Sequence, residues 1–187
     1  MAGAIVTQNT SWRNVERAIA NLKAAGLLSA PRLARASLRR LERLLRPSGY
    51  FRQKAARLKT FSRWYQRAYG ASPRRMFRTD PWTLRRRLLD VSGIGPETAD
   101  SILLYAGRQP VFVVDAYTRR IFRRHDLIRG EEPYEELQRW IMNRLPGNPT
   151  VFNEFHALLV AVGKRFCHPR NPECDRCPLG KFPHNVR

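Results

Sequence analysis

Apolar residues recur at intervals of three and four along most of the chain, which is the spacing of one face of an α-helix. Residues 9–26 follow this spacing and end at Gly26, as expected of a helix with a glycine C-cap. Leucines repeat similarly over 37–45, and a turn and a long helix occupy 48–70. Further helices are predicted over residues 80–91, 96–106, 116–125, 133–145 and 151–165. The pattern predicts an all-α protein.

One apolar segment departs from the helical spacing. QPVFVV, residues 109–114, is β-like, but at this length we expect an extended connector rather than a strand of a sheet. We therefore place a boundary here, with a first lobe over 1–109 and a second helical lobe over 110–187. The tail after residue 166 contains four prolines and cannot form a long helix.

The charge indicates a polyanionic partner. Lysine and arginine number 35 against 15 acidic residues, a net charge of +20 in 187 residues. Such an excess favours nucleic acid, because binding releases condensed counterions, and double-stranded DNA is the leading candidate. A ribosomal or heparin-like binder, or compositional drift towards arginine, are the alternatives.

Targeting signals are not evident in the sequence. No run approaches the ~20 apolar residues of a membrane helix. The N-terminal MAGAIVTQ lacks the basic start and the small-residue cleavage site of a signal peptide. We expect a cytoplasmic, nucleoid-associated monomer that makes no membrane contact.

A glycine turn joins two amphipathic runs in LLDVSGIGPETADSILLYA. Gly93, Ile94 and Gly95 form the turn, and Pro96 opens the second helix. Glycine permits positive φ and close approach, so the backbone N–H groups of such a turn can face a DNA phosphate. The alternative is a tight turn in which glycine serves geometry alone.

An aspartate marks the next junction, in VFVVDAYTRRIFRRH. Asp115 stands where the apolar extended run gives way to a helix rich in arginine. By itself, an aspartate at this place is explained as a helix N-cap.

Together, GIGPETAD and VVDAYTRR resemble the helix-hairpin-helix DNA glycosylase superfamily, in the branch related to endonuclease III, and among its members they look most like the 3-methyladenine DNA glycosylases. The resemblance extends to IVTQNTSW, SGYFRQKA and the late cysteines, nearly the whole chain. It implies a two-lobed, all-α fold whose first lobe is of the six-helix type and contains the helix-hairpin-helix. The family's N-terminal helix is expected to be missing, because the chain starts inside the helix of the IVTQNTSW element.

The resemblance implies a base excision repair enzyme that extrudes a damaged nucleotide from duplex DNA into a cleft between the lobes and breaks its base–sugar bond. Asp115 would be the catalytic carboxylate, stabilising an oxocarbenium-like sugar or orienting water. Glu97 stands where bifunctional relatives have a Schiff-base lysine, and glutamate cannot form that bond. The sequence thus predicts a monofunctional enzyme without AP-lyase activity.

Three residues are predicted to form the base pocket. A carboxylate at Glu97 would favour cationic alkylated purines such as 3-methyladenine, or would simply complement the helix dipole. Lys164 resembles a pocket lysine of the alkylpurine enzymes; alternatively, it stabilises the end of its own helix. Glu97 and Lys164 are both also predicted to be catalytic residues. Trp12 would stack on the extruded base, or belong to the core.

The same resemblance assigns DNA contacts outside the pocket. Gln8 would fill the gap left by the extruded nucleotide, and Tyr50 would wedge into the opposite strand. Lys54 and Arg119 are expected on the DNA backbone with the glycine turn, although basic residues on solvated helix faces look identical in sequence.

The cysteines suit metal binding better than a disulfide framework, since all three lie near the end of the chain. Cys167, Cys174 and Cys177 have the spacing C-x6-C-x2-C, and the family's iron–sulfur loop continues with x5-C, where this chain has Pro183. The open possibilities are a [4Fe–4S] cluster completed by His184 or His168, a Cys3His zinc site, and no metal at all.

Two rival functions remain open from the sequence. A mismatch-specific uracil or thymine DNA glycosylase would also lack the lysine at position 97. A catalytically inactive helix-hairpin-helix protein would keep the turn and the charge for DNA binding alone. A lyase that uses Lys164 is a further option.

Overall fold

Eleven α-helices make up the part of the chain that the computed structural model describes, residues 1–185, and no strand occurs in that part. The all-α prediction is therefore confirmed. The helices are α1 Ala2–Val6, α2 Trp12–Ala24, α3 Ala30–Arg35, α4 Leu38–Leu45, α5 Phe51–Tyr69, α6 Pro73–Met76, α7 Pro81–Leu89, α8 Pro96–Ser101, α9 Ala116–Arg124, α10 Tyr134–Met142 and α11 Pro149–Arg165.

The chain divides into two compact units, Met1–Gly107 and Arg108–Arg187, two residues before the boundary placed from the sequence. In the first unit, α5 is the central helix, and α1, α3 and α4 pack against it. Its buried positions follow the expected spacing, as at Leu58, Phe61 and Tyr65. Gly70 ends α5 with φ +61° and donates its N–H to Gln66 O at 2.9 Å.

Short and irregular helices were absent from the prediction. The helices α1, α3 and α6 have six residues or fewer, too short to repeat an apolar pattern. The stretch predicted as one helix over 96–106 is α8 followed by a π-helical segment, Ile102–Ala106. Its apolar residues Ile102, Leu103 and Leu104 are all buried, so three consecutive positions face the core.

In the second unit, the segment before α9 is an extended, buried connector, as expected. Val111, Phe112, Val113 and Val114 are at most 2% exposed. Their backbone is bound by side chains of α10, since Gln138 Nε2 donates to Phe112 O at 2.5 Å and Tyr134 Oη accepts from Val114 N at 3.2 Å. Phe112 also packs edge-on against Phe152 of α11. These contacts therefore fix the position of the backbone immediately before α9.

None of the helices described over residues 1–185 combines the length and the apolar character that crossing a membrane requires.

Candidate functional site

Asp115 caps α9 through its side chain. Its Oδ1 accepts hydrogen bonds from Thr118 N at 2.8 Å and from Thr118 Oγ1 at 2.9 Å. The buried connector before Asp115 and the helix after it fix the backbone on both sides, and the Asp115 side chain is 12% exposed. The N-cap reading of this aspartate is thus true, and it leaves the second carboxylate oxygen for another contact.

His156 of α11 supplies that contact. Its Nε2 lies 3.3 Å from Asp115 Oδ2, and both side chains are largely buried. Burial raises the pKa of Asp115, but the contact with His156 and the two bonds from Thr118 together outweigh it, so the pKa lies below its ordinary value. Asp115 is therefore a largely buried carboxylate that stays ionised at neutral pH.

Two arginines of α9 bind the end of α11 and the loop that follows. Arg120 donates to Cys167 O at 2.8 Å and to Gly163 O at 3.1 Å. Arg124 donates to His168 O at 2.6 Å and to Cys167 Sγ at 3.1 Å. Positively charged side chains bind favourably to the free carbonyl groups at a helix C-terminus. These contacts therefore hold α9 against α11 and keep Asp115 beside His156.

Close packing reinforces the same contact. A Cβ built on Gly163 would come within 2.3 Å of Cδ1 of Tyr117, so only glycine fits there. Arg119, which was predicted to contact DNA, donates instead to Glu132 O at 2.8 Å and is partly buried. Its contact with DNA stays a prediction.

In the first unit, α7 and α8 form the two helices around the glycine turn. Gly93 has φ +85°, and a Cβ there would meet Arg57 Cγ at 2.4 Å, so the turn requires glycine both for conformation and for space. Gln8 Nε2 donates to Gly93 O at 3.2 Å and to Thr98 Oγ1 at 2.9 Å. Arg57 in turn donates to Gln8 Oε1.

Ile94 lies at the centre of this turn. It is 5% exposed, and its N–H donates to Val91 O at 3.0 Å. The predicted DNA contacts of Gly93, Ile94 and Gly95 stay predictions.

A buried ion pair joins the two helices. Arg85 Nε lies 2.7 Å from Asp100 Oδ1, and Arg85 Nη2 donates to Asp100 Oδ2 at 3.2 Å. The Asp100 side chain is fully buried and that of Arg85 is 10% exposed. This bidentate pair sets the angle between α7 and α8.

Lys54, which was predicted to contact a DNA phosphate, is 1% exposed, and its Nζ donates to Ser48 O at 2.6 Å. Its contact with DNA stays a prediction. Burial, with the nearby charge of Arg57, lowers the pKa of Lys54. Lys54 therefore supports the turn before α5, because the ammonium holds the carbonyl that precedes Gly49.

Tyr50 stands at the tip of that turn. It is 67% exposed and adopts a left-handed conformation with φ +44°, which is rare for a bulky residue. An exposed aromatic ring on a strained turn suits a wedge, and that role stays a prediction.

The pocket residues lie on both units. Glu97 is exposed in the first turn of α8. Trp12, at the start of α2, is 51% exposed and is therefore not a core residue, which was the alternative interpretation. Trp12 lines a cavity with Leu28 and Tyr65, and Glu97 is not among the residues of its wall. Lys164 is exposed in the last turn of α11, in the other unit. Their common pocket with Asp115 stays a prediction.

The cysteine loop surrounds a cavity of its own. Cys167, Cys174 and Cys177 line it together with His184, while His168 is not among its lining residues. A Cβ on Gly180 would meet Cys174 O at 2.1 Å, so the backbone of the loop packs tightly against Gly180. Among residues 1–185, no three His, Cys, Asp or Glu side chains converge as closely as one metal ion requires.

Sequence reasoning missed His156, Arg85 and Asp100. His156 interrupts the apolar face of FHALLVAV, and a polar residue at a buried helix position was the available signal. Arg85 and Asp100 lie on either side of the glycine turn, and their pairing becomes visible only when the turn brings α7 and α8 together.

Comparison with known proteins agrees with this geometry. A family model described as the HhH-GPD superfamily of base excision DNA repair proteins matches residues 2–146. A model of the iron–sulfur binding domain of endonuclease III matches residues 167–181.

Two relatives cover nearly the whole chain. A protein of Methanocaldococcus jannaschii, provisionally named as a DNA repair glycosylase, is 44% identical over 184 residues, 97% of this chain and 83% of the relative. Endonuclease III of Thermotoga maritima is 29% identical over 180 residues, 96% of this chain and 78% of the relative.

Solved structures resemble the fold. The H. pylori 3-methyladenine DNA glycosylase bound to 1,N6-ethenoadenine has a TM-score of 0.76 at 30% identity, covering 88% of this chain and 83% of its own. A non-covalent endonuclease III–DNA complex has a TM-score of 0.81 at 20% identity, and the match covers 95% of this chain and 78% of that one. At this identity, the match supports only the fold. The predicted helix-hairpin-helix fold class is confirmed.

Proposed function

Because the chain belongs to the HhH-GPD superfamily of base excision DNA repair proteins, we propose that it is a monofunctional DNA glycosylase that removes alkylated purines, such as 3-methyladenine, from double-stranded DNA. The observation that carries this proposal is Asp115, a buried carboxylate that its neighbours keep ionised. The bond to be broken is the N-glycosidic bond, and water is the nucleophile.

Asp115 acts in this proposal through its negative charge. As the base departs, positive charge develops on the sugar, and a fixed negative charge beside it lowers the barrier. Thr118 holds one carboxylate oxygen and His156 lies 3.3 Å from the other, so the group does not need to reorganise during the reaction. A carboxylate so fixed can also orient the attacking water.

Glu97 supports the choice of substrate and the absence of lyase chemistry. A carboxylate has no amine with which to form a Schiff base, so strand cleavage from position 97 is not expected. Its negative charge suits a purine made cationic by alkylation, whose weakened glycosidic bond needs little help to leave. The likeness to the H. pylori 3-methyladenine DNA glycosylase, at 30% identity, supports the same class of base.

Other residues are assigned supporting roles in this proposal. Lys164 and Trp12 would contribute to the base pocket, Lys164 by its charge and Trp12 by stacking on the extruded base. Gln8 and Tyr50 would occupy the duplex where the nucleotide leaves it. The net charge of +20 supports binding to the phosphate backbone.

We further propose that Cys167, Cys174 and Cys177 hold an iron–sulfur cluster, consistent with the matching of residues 167–181 to the iron–sulfur domain of endonuclease III. When bound, the cluster would cross-link the loop that follows α11. No step of base release passes through it.

A substrate panel tests the proposed function. Base release is measured on methylated duplex DNA and on duplexes that contain a G·U or a G·T mismatch. We expect release of alkylated purines and little from either mismatch. Release of uracil or thymine in preference to methylated purines would contradict the proposal, and DNA binding without release from any substrate would identify an inactive binding protein.

A further inference from the structure

The cavity in the cysteine loop has four donor side chains. Cys167, Cys174 and Cys177 contribute three thiols, and His184 contributes an imidazole to the same wall. The guanidinium of Arg124, which also lines the cavity, donates to Cys167 Sγ at 3.1 Å. Three cysteines alone leave one iron of a four-iron cluster without a protein ligand.

Hydrogen bonding selects the tautomer of His184. Its Nδ1 lies 2.8 Å from Phe182 O, and a carbonyl oxygen can only accept, so Nδ1 carries the proton of the neutral ring. The lone pair is then on Nε2. Metal-bound histidines are usually oriented in this way, with the second ring nitrogen bound to a backbone carbonyl.

The backbone around His184 is held in place on both sides. His125 Nδ1 lies 2.9 Å from Pro183 O, and Asn185 N donates to Arg124 O at 2.5 Å. The His184 and His125 rings also pack with their centroids 5.7 Å apart. Pro183 thus occupies the family's fourth ligand position without a donor side chain, while the next residue is placed against the cavity.

We propose that His184, through Nε2, is the fourth ligand of the iron–sulfur cluster. The inference rests on the proposed cluster and is independent of the base-release reaction. His168, the other candidate, is excluded by its position, since its Nε2 lies 3.4 Å from Glu173 Oε1 and it does not line the cavity. Three thiolates and a neutral imidazole carry one negative charge fewer than four thiolates, so this cluster is easier to reduce.

The test compares the full chain with His184→Ala, His184→Cys and the control His168→Ala, each reconstituted anaerobically with ferrous iron and sulfide. Iron, sulfide and zinc per chain, visible absorption, thermal stability and the reduction potential are measured. We expect about four irons per wild-type chain. His184→Ala should lose its cluster to a chelator at least about tenfold faster, since even outer-shell changes at metal sites cost 10–100-fold.

His184→Cys separates a ligand from a merely structural residue. It should retain the cluster as well as the wild type does, with a more negative reduction potential, because a thiolate replaces an imidazole. His168→Ala should behave as the wild type.

Three results would overturn the inference: one zinc and no iron per wild-type chain, a cluster in His184→Ala as stable as in the wild type, or an unchanged potential in His184→Cys. Base release from methylated DNA is measured on the same samples. Release that persists while the cluster results fail leaves the glycosylase proposal standing.

Discussion

Replacing His156 by leucine tests how Asp115 is prepared for catalysis. In the structure, Asp115 Oδ2 lies 3.3 Å from His156 Nε2, while Oδ1 keeps both bonds from Thr118. A well-formed hydrogen bond to a charged group contributes about 1.5–3 kcal/mol, which is the upper limit for this contact. If this contribution is lost in the transition state, base release slows by about 10- to 150-fold, at about 1.36 kcal/mol for each factor of ten.

The pH dependence of base release tests the role of His156 more specifically than the rate does. The contact with His156 helps to lower the pKa of Asp115 against the opposing effect of burial, so removing His156 raises that pKa. The acidic limb of the rate profile should therefore move to higher pH in His156→Leu. For the wild type, the lowered pKa means that the stability contributed by ionised Asp115 is present above its unfolded pKa of about 3.9 and is lost as the pH falls through the folded value.

The assay is single-turnover base release from methylated duplex DNA across pH, with thermal unfolding of each variant measured in parallel. His156→Gln is the matched control, because its amide can donate to the same oxygen and should recover part of the rate. The reasoning is refuted if His156→Leu folds and releases base with the rate and pH profile of the wild type.

Further predictions concern packing and the reaction type. Asp100→Ala leaves the Arg85 charge buried without its carboxylate, so it should lower the free energy of unfolding, measured by denaturant titration, by about 3–5 kcal/mol. The double variant Arg85→Met, Asp100→Leu removes both charges and should lower it much less. Equal losses in the two variants would argue against a buried ion pair. Gly163→Ala places a methyl group within 2.3 Å of a tyrosine ring and should cost about 1–3 kcal/mol, while Gly147→Ala, with open space around it, serves as the control. Borohydride should trap no covalent complex on an abasic duplex, since Glu97 cannot form a Schiff base; a trapped complex would point to a lysine elsewhere.

The elements that repeat an apolar pattern could be predicted from the sequence. The predicted segment 133–145 is Tyr134–Met142, and 151–165 is Pro149–Arg165. In both, buried residues recur at three- and four-residue steps, so local information suffices. The π-helical segment Ile102–Ala106 could not be predicted, because consecutive apolar residues fit several helical geometries.

Individual residues of the site could be predicted from the sequence, but their contacts with one another could not. The position of Asp115 between an extended run and a helix predicted an N-cap, which the structure shows, whereas its catalytic role was assigned only from the family resemblance. Its partner His156 is 41 residues later in the sequence, and only the packing of α11 against α9 brings the two together. The burial of Lys54 could not be predicted, because a lysine on a helix is expected to be exposed, whereas in the structure its Nζ donates to Ser48 O.

The central claim is that the Asp115 carboxylate catalyses base release. Asparagine caps helices as well as aspartate does, so Asp115→Asn should keep the fold and DNA binding while removing the charge. Measured by single-turnover release of methylated purines from duplex DNA, at a temperature where both proteins are folded, this variant should be about 10²- to 10⁴-fold slower than the wild type. Release at the wild-type rate would contradict the account.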